Sequence, residues 1–183
     1  VSLDESALKT YEGKYIVNGD IIEISLRIGG LRALFGGATI NLNPISSTQF
    51  TLSHWLTDVE DMTMEFFVDD PDDEDIMILS LGGSYHIISP RYPELDEIPD
   101  FWQDFTGAYT ILARHPSVYN DTEMGNVEIS IADGILQTTN KLILLPISET
   151  EIRIVGGIFD GEIMIYDKGD RTITWQNLFY RAN

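Results

Sequence analysis

Ser6-Ala-Leu-Lys9 has the letters S-x-x-K, the arrangement in which a lysine activates a serine nucleophile for acyl transfer. That chemistry also needs a Tyr-x-Asn element and a Lys/His-x-Gly strand to complete the site. Neither follows in order, since KTY and KYI lack the glycine. Ser6 also lies at the start of the chain, outside any strand. A four-letter pattern with two free positions is read as coincidence, and no catalytic residue is assigned. No G-x-S-x-G, P-loop, G-x-G-x-x-G or H-E-x-x-H occurs.

The histidines are His54, His86 and His115. None has a partner at i+2 or i+4, and none is set at fixed spacing from carboxylates. His54 alternates with Phe50 and Leu52, which makes it an inward-facing core or pocket residue rather than a metal ligand. His115 reads as exposed. The acidic run Asp69–Asp75 (DDPDDED) lacks the D-x-D-x-D-G frame and distant Glu of a calcium loop, and reads as a solvated hairpin loop that discourages edge pairing. No metal or cofactor is expected. What remains is binding: His54, Trp55, His86 and Trp175 are the residues nominated to line a small-ligand cavity or cap its mouth. Core packing is the competing role for the aromatic side chains.

Those side chains have to be positioned by something, and the candidate is a duplicated set of strands. Four phrases recur in one order. Tyr11-Glu-Gly-Lys-Tyr15 matches Phe105-Thr-Gly-Ala-Tyr109, and Ile22–Ser25 matches Val127–Ser130. Gly30–Ala33 matches Gly134–Gln137, and Pro44-Ile-Ser46 matches Pro146-Ile-Ser148. The spacing jumps after the first phrase, which places an insertion at ARHPSVYNDTEMG in the second copy. Period-two alternation, as in Ile22, Ile24, Leu26 and Ile28, predicts about eight short strands per copy. Gly29-Gly30, Asp133-Gly134 and Asp167–Asp170 read as tight turns. Pro44 and Pro146 mark strand ends or bulges, with Ile45 and Ile147 expected to point inward. Helical pattern is confined to Leu3–Tyr11 and Leu95–Asp104, each leading into a copy.

The expected fold is therefore all-β: a tandem repeat of two small antiparallel eight-stranded barrels with short lead-in helices, over residues 1–93 and 94–183. One larger intertwined β-structure is the alternative. Residues 89–100, with three prolines and four acids, read as the linker.

Composition limits the partners. The 183 residues carry 11 Lys and Arg against 30 Asp and Glu, a net charge of −19 shared by both halves. Such a surface repels phosphate backbones and anionic membranes, so no nucleic-acid partner is expected. No apolar run reaches the roughly 18 residues of a membrane span. The absence of Cys removes disulfides, thiol catalysis and thiolate metal sites, and leaves the compartment open. A first residue of Val rather than Met points to a fragment of a longer chain.

Gly13-Lys-Tyr15 and Gly107-Ala-Tyr109 open their copies as G-x-W opens lipocalin-like barrels, with Tyr in place of Trp. Arg181 is placed like the arginine that packs across that aromatic, with Arg91 its approximate counterpart in the first copy. The run Y-x-G-x-Y … I-E-I … L-x-P-I-S … F resembles the lipocalin-like C-terminal domains of β-lactamase-related serine hydrolases, of the D-aminopeptidase and class C β-lactamase type. The resemblance implies a non-catalytic accessory pair that shapes substrate access or assembly. The catalytic domain would then lie N-terminal in the same parent chain. The alternative is a small apolar-ligand binding protein that uses a barrel cavity. Gly13, Tyr15, Gly107, Tyr109, Pro44, Pro146 and Arg181 are the structural signature on this reading.

Overall fold

Apolar residues at every second position give a strand one face to bury. Eight such strands in succession bury it by closing on themselves, which also removes the edges. In the computed structural model this happens twice. The structure describes residues 1–53, 62–68, 74–113, 122–176 and 178–183. The chain divides into Val1–Glu94 and Leu95–Asn183. Each unit is a closed antiparallel eight-stranded barrel made from its own half of the chain, not an intertwined structure.

In the first unit, α1 (Glu5–Lys9) leads into β1 (Gly13–Val17), β2 (Asp20–Arg27), β3 (Gly30–Phe35) and β4 (Ala38–Pro44). The sheet continues through β5 (Gln49–Ser53), β6 (Met62–Phe67), β7 (Ile76–Leu81) and β8 (Tyr85–Tyr92). Each strand pairs with the next, and β8 returns to β1 with Arg91 opposite Tyr15. The second unit repeats the plan with β9 (Gly107–Ala113), β10 (Thr122–Ala132), β11 (Ile135–Thr138) and β12 (Ile143–Pro146). It ends with β13 (Glu151–Val155), β14 (Ile163–Asp167), β15 (Thr172–Trp175) and β16 (Leu178–Ala182), the last closing on β9 with Ala182 opposite Tyr109.

The lead-in segments are shorter than their sequence pattern predicts. α1 starts at an Asp4 N-cap whose Oδ1 accepts from the Ala7 amide and the Ser6 hydroxyl, both at 2.8 Å. Those bonds lower the Asp4 pKa, the Ala7 amide contributing most. In the second unit Pro99 biases Ile98 away from helical geometry, and only a 3₁₀ turn forms, over Asp100–Phe105.

The repeated P-I-S phrase is a turn device. The Ser46 hydroxyl accepts from the Thr48 and Gln49 amides at 3.2 and 3.0 Å, and Ser148 accepts from Thr150 and Glu151 at the same distances. Pro44 and Pro146 end their strands opposite Phe50 and Ile152. Ile45 and Ile147 do not point inward: they are 47% and 51% exposed. Strand alternation is the reason. Leu42 and Pro44 share the inward face, so the next side chain faces out.

Candidate functional site

The ends of each barrel differ, and function has to be sought there or on the outer face. At the base, where β1 begins, Tyr15 donates its hydroxyl to the Tyr11 carbonyl at 3.2 Å. Tyr109 does the same to Phe105 at 2.9 Å. Around Tyr15 the first unit packs a ring cluster. Phe66 lies 4.9 Å from Tyr11 and 5.5 Å from both Tyr15 and Phe50. In the second unit Phe105 stands edge-on to Tyr166 at 4.9 Å and to Phe101 at 6.1 Å, and the Tyr166 hydroxyl donates to the Asp104 carbonyl at 3.0 Å.

Arg91 closes the first base. Its guanidinium donates to the Thr10 carbonyl at 3.2 Å, to the Glu12 carbonyl, and to Asp75 Oδ2 at 2.8 Å. Gly13 makes room for it, since a Cβ there would lie 2.6 Å from Arg91 Nε. The counterpart in the second unit is not Arg181. The Arg91 amide donates to the Asp75 carbonyl, and the Ala182 amide donates to the Arg171 carbonyl, so Ala182 holds the Arg91 position and Arg171 that of Asp75. Arg181 is exposed, one residue out of phase with the inward face. The guanidinium near the second base is that of Arg171, with Nη2 3.8 Å from where a Cβ on Gly107 would sit.

Burial pushes the Tyr109 hydroxyl up to about 12, with Tyr166 adding to the rise and Arg171 opposing it. An unfolded tyrosine ionises near 10. Below that pH the contribution to stability is complete. As pH climbs from about 10 through 12 the unfolded chain releases a proton that the native state retains, so stability falls. Urea midpoints at pH 8 and pH 11 are expected to differ less in Tyr109→Phe than in the wild type. An unchanged difference would show that Tyr109 does not set it.

The residues nominated for ligand contact are not gathered into one site. His54 and Trp55 lie outside the described residues, as do His115 and most of the Asp69–Asp75 run. His86 is exposed on the outer face of β8, its Nδ1 2.7 Å from Ser80 Oγ. Trp175 is buried in the second unit. Its indole stands edge-on to Phe159 at 4.8 Å and donates to Glu162 Oε2 at 2.6 Å. Ser6, spent on the Asp4 cap, and Lys9 are both exposed on α1. Among the described residues no group of three or more His, Asp or Glu side chains is placed to hold a metal.

The mouths, opposite the bases, are where the units part. In the second, Phe159, Trp175 and Glu162 form a hydrogen-bonded cap, extended by Gln176 at 2.7 Å from the same carboxylate oxygen. In the first, the inward positions nearest the mouth stay partly open. Phe35 and Tyr85 are 37% and 58% exposed, while Ile40, Met62, Leu81 and Ile87 are half-buried. Sequence alternation identifies these as inward residues but carries no signal of how much of each stays exposed. Comparison of the chain with family models, with curated proteins and with solved structures gives no match.

Proposed function

We propose that the chain is a non-catalytic accessory module, a lipocalin-like barrel pair that shapes substrate access or assembly for a β-lactamase-related serine hydrolase or peptidase. The observation that supports this reading is the filling of both interiors. Tyr15, Phe50 and Phe66 in the first unit, and Tyr109, Ile152 and Met164 in the second, are fully buried inward side chains. A filled small barrel works through its outer surface and loops rather than its lumen. The test is the gene sequence upstream of Val1. A domain carrying S-x-x-K, Tyr-x-Asn and Lys/His-x-Gly is the expected result, and a secretory leader directly preceding Val1 overturns the proposal.

The second reading is a small apolar ligand held at a barrel mouth, favoured by the partly open ring of Phe35, Ile40, Met62 and Leu81. Native mass spectrometry of freshly purified protein separates the two. The ligand reading requires a retained adduct, whereas the accessory reading is satisfied by the bare chain mass.

A further inference from the structure

A cleft of about 860 Å³ opens on the first unit beside α1, at the base end of β2, β3 and β4. Small-molecule sites commonly span about 300–1,000 Å³. Its apolar lining is Leu3, Leu8, Leu26, Leu31, Leu42 and Pro44. Leu3, Leu8 and Leu26 are only partly buried against the core, so they keep surface for another apolar group. Ile28, on the β2–β3 hairpin, also lines the cleft and is 99% exposed.

The polar lining is biased. Lys9 and Arg27 both border the cleft, two of the five Lys and Arg residues in the first unit. Neither forms an ion pair with a carboxylate among the described residues, in a chain with 30 acidic side chains. Two acids share the lining. Glu12 is committed, its Oε1 accepting from the Leu26 amide at 2.6 Å. Glu5 stands one helical turn before Lys9, in i,i+4 reach, yet the pair is not made. Two uncommitted cations over an apolar floor suit one negative charge with a short hydrocarbon body.

We infer that this cleft binds a single-chain anionic amphiphile, its head between Lys9 and Arg27 and its tail along Leu26, Ile28 and Leu31. This site lies at the base end of the first barrel, separate from the mouth of the second reading. Isothermal titration with decanoate and with decyl phosphate, each below its micelle-forming concentration, tests it. Saturable one-to-one binding of either is expected, and the stronger of the two identifies carboxylate or phosphate as the head. Lys9→Gln and Arg27→Gln are each expected to weaken binding about three- to tenfold, in line with a charge-assisted contact. Ile28→Ser should weaken it through the tail. All three positions are solvent-exposed, and far-ultraviolet circular dichroism checks that the variants keep their strands. Absence of saturable binding overturns the inference. So does equal affinity for decanol, or wild-type affinity in both cation variants.

Discussion

Phe66→Ala is expected to destabilise the first unit by about 3–5 kcal/mol, a large part of what holds a small domain folded. Phe66 is fully buried and meets Tyr11, Tyr15 and Phe50 at once. Alanine would leave a void bordered by three rings anchored on different elements, none free to collapse into it. The neighbouring residue is the control. Phe67 is 48% exposed on the outer face of β6, so Phe67→Ala is expected to change stability by less than about 1 kcal/mol. Urea denaturation of the two variants reads the contrast. Similar losses from both would refute the period-two assignment of β6.

Arg91→Ala carries the second large effect, about 2–4 kcal/mol. One guanidinium serves the Thr10 and Glu12 carbonyls and the Asp75 carboxylate, and its side chain is only 24% exposed. Removal takes a donor from two backbone acceptors and from a partly buried carboxylate at once, which is more damaging than loss of a surface ion pair. Arg91→Lys is expected to restore less than half, because an ammonium cannot present a planar fork to three acceptors. Arg181→Ala, at an exposed position on the equivalent strand, should cost at most about 1 kcal/mol. A larger effect at Arg181 than at Arg91 would reverse the assignment of the base-closing arginine.

The duplicated barrel was legible because its determinants are local. Alternation in Ile22–Leu26 and the paired glycines near 30 and 134 declare strands and hairpins without tertiary knowledge. The P-I-S turns are local too: their serine bonds reach no further than three residues. The same alternation, carried through Pro44, places Ile45 outside; the inward expectation fails because proline ends the strand without resetting its phase. Arg171 was not legible. Its approach to the second base depends on register between β15 and β16, which composition does not carry, whereas Arg181 stands at the end of the copy where the pattern points. The α1 cleft was invisible for a related reason. Lys9 and Arg27 are 18 positions apart, and only the packing of α1 against β2 and β3 brings them to one surface.

The different placing of the arginine near each base has a consequence for exchange between the halves. In the first unit it sits on the second strand of the last hairpin, and in the second unit just before the first strand of that hairpin. A chimera that exchanges β7–β8 for β15–β16 whole, with Asp75 and Arg171 included, therefore inherits one arginine in either direction. Exchange of a single strand with its flanking residue yields two arginines or none. Exchange at hairpin boundaries is therefore expected to keep one arginine near each base, and exchange within a hairpin to disturb it.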